Sequence, residues 1–318
     1  MSASNASVSH IPSKLVADAA MKSLQRHKLI DQLFVILGMT ILFASLLTLA
    51  VLFLDLVRDG APRFGWDFFT NFPSRNAQRA GILSAWVGTC LVMLATVCVA
   101  MPVGVAAAVY LEEYAPKNIF TAIIEINVTN LAGVPSIIYG LLALGLFVYK
   151  LELGQSIASA GLTLALLILP IVIVASREAI RAVPRNIREA AYALGATRWE
   201  VTAHHVVPYS SGGILTGLII GLSRAIGETA PIITIGALAF IAFLPTPPIG
   251  SEFPYLSFTW LSDPFTVMPI QMFNWVSRPD TAFQVNAAAA GAVLLVMTLA
   301  MNGIAIYVRY RFRKKINW

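Results

Sequence analysis

Apolar residues gather into six long blocks, at 33–54, 82–111, 119–149, 160–176, 209–244 and 286–308. Each reaches the roughly 17–25 residues that an α-helix needs to cross the hydrocarbon of a bilayer. Within the blocks, apolar and polar positions do not alternate with a period of two, so a membrane barrel is not expected. The pattern predicts an all-α, polytopic membrane protein with six transmembrane helices. It divides the chain into a polar tail (1–28), a first helix with its loop (29–81), a main transmembrane region (82–308) and a basic tail (309–318). The block at 209–244 is long enough to hold two segments.

Composition agrees with the pattern. Of the residues, 58% are hydrophobic and 12% charged, against about 25% charged in soluble domains. So few charges cannot cover a water-facing surface, which excludes a soluble enzyme. Cytoplasmic loops of membrane proteins carry the excess of Lys and Arg. With both termini inside and six crossings, the inner segments hold 15 Lys and Arg, the outer segments hold 6, and Arg224 is left inside a span. A seventh crossing would put the basic C-terminal tail outside, so 209–244 is expected to cross once. The first outer loop, with Arg58, Arg63, Arg75 and Arg79, runs against the trend. About 30 residues precede the first block and no cleavage pattern follows it, so the first helix is expected to remain as an anchor. The net charge of +6 reflects topology and contact with acidic lipid, and requires no nucleic acid. Cys90 and Cys98 stand eight apart, roughly 12 Å along a helix. That is too far to bridge, and both read as inert packing residues. Trp66, Phe68, Phe69 and Phe72 in the first outer loop, and Trp260 and Trp275 in the outer segment 245–285, suit a membrane interface or an external partner.

The inner segment 177–208 carries the most local information. Pro184 suits a helix start, and Ile187, Ala191 and Leu194 form one apolar stripe. Gly195 follows where a left-handed C-terminal cap belongs. Thr197 and Glu200 form a capping box that opens a second short helix. Its stripe is Trp199, Ala203 and Val206, and Pro208 is expected to end it. Two short amphipathic helices make a knob able to fill a groove on a partner. A plain surface loop is the alternative.

The fifth block carries small residues at Gly213, Gly217, Gly221 and Ala225, a spacing that lets helices approach closely in lipid. Arg224 borders this seam, roughly 22 Å along the helix from Tyr209, and Glu228 lies one turn further on the same face. A charge at that depth faces a bundle interior or a watery cavity. Arg224 and Glu228 are therefore candidates for a substrate path, or else a structural ion pair. Glu125, Asn127 and Asn130 read as helix cross-links rather than path residues. Pro135, Pro170 and Pro231 are expected to kink or break their spans. Glu112 and Glu113 read as a solvated inner turn. His204 and His205 are adjacent and point apart, so no metal site is expected. No Gly-rich nucleotide loop, nucleophile elbow or HExxH pattern is present. Uphill transport would need an ATPase on a separate chain.

Glu189-Ala190-Ala191, three residues, Gly195, nine residues and then His205-Val206-Val207-Pro208 resembles the EAA loop of ABC-importer permeases. His205 stands where Ile is usual and Val207 where Leu is usual. The segments 130–140, 224–231 and 269–275 resemble those of PstA-type permeases of phosphate-specific importers. The likeness covers roughly 80–308. It implies a type I importer permease fold, with 82–308 as the permease domain, and residence in a bacterial inner membrane. It implies that Glu189, Ala190, Ala191 and Gly195, within the coupling segment 184–208, dock an ATPase. Implied partners are a PstC-type second permease, a PstB-type ATPase dimer carrying ATP and Mg, and a PstS-type phosphate-binding protein. This chain itself is expected to hold no cofactor. Another oxyanion such as sulfate or tungstate, or a non-transporting scaffold, remains the alternative.

The charge asymmetry predicts both termini inside and 245–285 outside. A membrane-impermeant thiol reagent added to intact cells should label Cys at Ser251→Cys and spare Ser4→Cys. Labelling at residue 4 would refute this orientation.

Overall fold

In a computed structural model, residues 13–249 and 255–315 are described. The labelling positions Ser4 and Ser251, most of the N-terminal tail before Ser13, and 316–318 lie outside them. The chain divides into two units, Met1–Asp55 and Leu56–Trp318. The described part of the first unit is a single helix, α1 (Ser13–Gly60), which continues into the second. The second unit then holds α2 (Trp66–Thr70), α3 (Leu83–Val109), α4 (Ile119–Leu131), α5 (Ser136–Ala143) and α6 (Ile157–Arg181). After these come α7 (Arg185–Ala193), α8 (Arg198–Val201), α9 (Val207–Ala225), α10 (Ala230–Thr234), α11 (Met268–Val276) and α12 (Ala282–Lys315). No strand occurs among the described residues, which agrees with the all-α expectation.

Among the described residues, five helices are long and apolar enough to cross a membrane: His27–Arg63, Leu83–Tyr114, Ile157–Arg181, Arg198–Ala225 and Ala282–Arg311. A sixth crossing is available if α4 and α5 with its π-helical extension count as one span, bent by 106°. The bend falls at Ala132–Pro135, where Pro135 disfavours helix in the residue before it. The third block is thus a broken element.

α6 is the centre of the bundle, with α3 and α9 packed along it. Gly161 of α6 lies against Ala95 of α3, and Gly104 of α3 against Val172 of α6. On the other side, a Cβ placed on Gly213 would lie 2.5 Å from Cβ of Ala179, and one on Gly217 would clash with Ala175. Ala175 and Ala179 are themselves four apart, so small residues meet small residues along the seam. Gly221 sits over Ile168 and Val172, and Ala225 is buried. The small-residue seam is therefore the α6–α9 contact. Around it Val92, Leu164, Ile168, Val172, Leu218 and Leu222 form the main apolar cluster.

Several local expectations change. Pro170 lies inside an unbroken α6, as Pro102 does in α3; spanning helices tolerate Pro where neighbours re-satisfy the freed backbone. Pro231 does not kink a long helix, because α9 has already ended at Ala225 and Pro231 sits in the first turn of α10. The block 209–244 is one spanning helix followed by a one-turn helix and irregular chain. Trp260 and Trp275 are buried, not interfacial. α11 is drawn into the bundle: the Met268 N–H donates to Thr89 Oγ1 at 2.9 Å, and the Thr266 carbonyl lies against Gly88. Phe68 is likewise buried, beside Trp275, whereas Trp66 is exposed. Cys90 and Cys98 are exposed on α3. Arg63, one of the four unexpected outer cations, donates to the carbonyls of Gln78 and Ala80 at 2.6 Å and lies over the Phe68 ring. Its charge pins the loop.

Gly217→Leu should force α9 off Ala175 and cost about 1–3 kcal/mol, the scale of overpacking a tight contact. Gly212→Leu meets open space and should be neutral. Thermal unfolding of the two variants in detergent checks this, and equal melting would remove the seam from the stability of the bundle.

Candidate functional site: a paired-helix knob and an Arg–Glu ion pair

The knob forms as its caps dictate. Gly195 has φ +86°, a region that costs a side-chain-bearing residue about 1–2 kcal/mol. Its N–H donates to Tyr192 O at 2.9 Å, and the Ala196 N–H donates to Ala191 O at 3.1 Å. This paired closure satisfies the last carbonyls of α7. The capping box opens α8: the Thr197 N–H and hydroxyl donate to Glu200 Oε2 at 2.8 Å, and the Glu200 N–H donates back to Thr197 Oγ1 at 3.4 Å.

The faces differ in part from the apolar stripes. Ala191 is buried, with Ala108, Ile180, Val183, Val201 and Val206. It shapes the knob from inside and offers no outward surface. Leu194 is 90% exposed, because it is the cap residue, with φ −83° and ψ 3°, and has left the helical register. Trp199 is also exposed. Glu189, Ala190, Tyr192 and Leu194 are exposed on α7 and its cap, and Trp199 is exposed beside α3, where it lines a groove with Met101, Pro102, Tyr110 and Tyr114. The second helix does not stop at Pro208. A π-helical turn, Thr202–Val206, joins α8 to α9, and Pro208 falls in the first turn of α9. A proline there has no N–H to lose from an established ladder, since the wider turn has already shifted the pairing.

Glu112 and Glu113 are not a solvated turn. They sit in another π-helical turn, Tyr110–Tyr114, at the C-terminal end of α3. Glu112 accepts from Arg181 at 3.1 and 3.2 Å and pairs with Arg177 at 3.6 Å. Arg177 reaches Glu125 of α4 at 2.7 Å, so Glu125 is a cross-link, as expected. Glu113 accepts from Arg188 of α7 at 2.8 and 3.2 Å. The signal in the sequence is Arg177 and Arg181, four apart on one face of α6, with Arg188 on the next helix and the adjacent acidic pair Glu112–Glu113. Asn127 bonds only within its own helix, to Ile123 O, and Asn130 is exposed.

Arg224 and Glu228 do come together. Arg224 Nε donates to Glu228 Oε1 at 3.5 Å, and the two side chains are 39% and 19% exposed. Ala225 and Gly221 face α6, which turns Arg224 away from the seam. The terminal nitrogens of Arg224 make no hydrogen bond among the described residues. They present a planar two-donor edge, the shape that grips an oxyanion. Next to it, Ser223 Oγ lies 2.7 Å from Asn302 Oδ1 and ties α9 to α12. Among the described residues no group of three His, Cys, Asp or Glu could hold a metal, and His204 is exposed.

Comparison with known proteins gives a consistent picture. Residues 100–317 match the family model described as "Binding-protein-dependent transport system inner membrane component". The chain is 31% identical over 250 residues to the "Phosphate transport system permease protein PstA" of Xylella fastidiosa (strain 9a5c), covering 78% of this chain and 81% of that one. It is 30% identical over 289 residues to the protein of the same name from Yersinia pestis, covering 90% of each. A chain of the MetNI methionine ABC transporter in an inward-facing conformation superposes with a TM-score of 0.53 and 14% identity, over 74% of this chain and 96% of that one. At that identity the likeness speaks for the fold.

The cap is testable without any partner. Gly195→Val should loosen the turn between α7 and α8, with faster hydrogen exchange across 185–206 and unchanged melting of the bundle. Gly195→Asn, which tolerates the same backbone region, should lie between the two. Equal exchange in all three would show that the turn does not depend on its cap.

Proposed function

The chain belongs to the binding-protein-dependent transport system inner membrane component family, and from that membership we propose that it is the permease subunit of an ATP-driven inorganic phosphate importer. The observation that carries the anion is the likeness to PstA permeases over most of both chains. The geometry supports it. Arg224 supplies a guanidinium edge at membrane depth, and Glu228 balances its charge when no anion is present. A planar fork matches a phosphate oxygen pair better than an ammonium does. One chain supplies half of the path, and a PstC-type permease completes it. The exposed surface of the knob, from Glu189 to Trp199, docks a PstB-type ATPase, which holds ATP and Mg. A PstS-type binding protein delivers phosphate from outside. Both termini lie in the cytoplasm.

The test is uptake of labelled phosphate, against labelled sulfate, by proteoliposomes carrying this chain with its co-purifying partners. A four-member cycle of wild type, Arg224→Gln, Glu228→Gln and the double change separates binding from architecture. With Arg224 on the path, the double variant assembles, keeps its ATPase and transports at least about tenfold less phosphate, the loss that follows from about 1.4 kcal/mol of anion contact. Arg224→Lys falls short as well. Wild-type uptake by the assembled double variant removes Arg224 from the path. Sulfate uptake in place of phosphate overturns the anion.

A further inference from the structure

The knob is joined to the membrane helices by a small apolar cluster and by one side chain that makes four hydrogen bonds. Arg188 of α7 gives two to Glu113 of the α3 end, one to Ile180 O at 2.9 Å and one to Val183 O at 2.6 Å. Ile180 lies in the last turn of α6 and Val183 just past its end, so Arg188 caps one helix while it pairs with another. Glu113 and Arg188 are 9% and 17% exposed. Charge pairs removed from water to this degree hold firmly while complete and leave a costly bare charge when halved.

The neighbouring carboxylate points elsewhere. Glu112, on the same π-helical turn, takes Arg177 and Arg181 of α6, and Arg177 passes on to Glu125 of α4. α4 leads into the 106° bend at Ala132–Pro135. The bend is tied across by Tyr139, whose hydroxyl donates to Leu131 O at 2.8 Å. Beyond it, Gly140 of α5 lies directly against Pro231 and Thr234 of α10, the helix that follows Arg224 and Glu228. Every joint from the knob to that helix is therefore a named contact.

We infer that Arg188–Glu113 and Glu112–Arg177–Glu125 form one linkage that passes displacement of the knob to the bent α4–α5 pair, with Arg188 and Arg177 as positioning residues. This rests on the proposal that the knob docks an ATPase. The bend is a short break between two helices, and such element-terminal residues are the ones that absorb the φ/ψ change of a hinge. Two adjacent carboxylates on one π-helical turn divide the load: one holds the knob, the other holds α4.

The experiment uses the whole complex, with Glu113→Gln, Glu125→Gln, both together, and Arg188→Gln beside Arg188→Lys. Three quantities are read: ATPase retained on purification, ATP hydrolysed, and anion moved per ATP. The linkage predicts ATPase retention and hydrolysis close to wild type, with anion moved per ATP down about tenfold, the scale of an allosteric coupling term. Because the joints act in series, the double change is no worse than the worse single one. Arg188→Lys restores part of the ratio that Arg188→Gln loses. Losses of retention, hydrolysis and uptake in the same proportion overturn the inference and leave a structural clamp; a wild-type ratio in every variant overturns it outright. The ratio is taken for whichever anion the wild-type complex moves, so a wrong anion is seen separately. A wild-type complex that retains no ATPase refutes the docking itself.

Discussion

Helices dissolved in hydrocarbon gain nothing by hiding apolar surface from one another, so the close approach of backbones has to hold them. In this chain that approach is concentrated on α6. Gly104 and Gly161 bring α3 to one side of it, and Gly213 and Gly217 bring α9 to the other. The functional geometry is suspended from these contacts. α9 can present Arg224 outward because Ala225 and Gly221 fix which face meets α6. The C-terminal end of α6, with Val183 just past it, supplies Arg177, Arg181 and the carbonyls that Arg188 caps. A single helix thus sets the direction of the Arg224–Glu228 pair and the anchorage of the knob.

The charges follow from the same constraint. Away from bulk water an unpaired ion is expensive, so α3, α4, α6 and α7 meet through alternating carboxylates and guanidinium groups. Hydrocarbon supplies no such cost to the knob's outer surface, where Leu194 and Trp199 stand exposed. That contrast separates the side of the knob that belongs to this chain from the side left for another.

Much of this was written locally in the sequence. The Gly195 cap, the Thr197–Glu200 box and the small-residue seam depend on residues a turn or so apart, and each formed where its spacing placed it. What could not be read depended on distant parts of the chain. Glu112 and Glu113 look solvated until α6 and α7 fold back on them. Trp260 and Trp275 look interfacial until Thr89 and Gly88 draw α11 inward. Pro170 and Pro208 look like breaks because proline is judged against an isolated helix, whereas neighbours and a widened turn absorb it here. Leu194 leaves the stripe for a smaller reason: it is the cap residue, one position past the end of α7, where the chain has already turned.

The π-helical turn at Thr202–Val206 has a consequence for how the two functional regions are registered. Such a turn holds one residue more than the α-helix on either side, and each residue swings an α-helix by roughly 100°. A π turn takes up its extra residue within about one full turn, so the helix on either side keeps nearly the azimuth it would have without it. Deleting one residue from this turn would relax it to ordinary α-helix and leave the knob facing nearly the same way, whereas a deletion within the uniform part of α9 would swivel it by roughly 100°. Chain length at this one place is buffered, so a residue can be lost here without turning the outward surface against the membrane core.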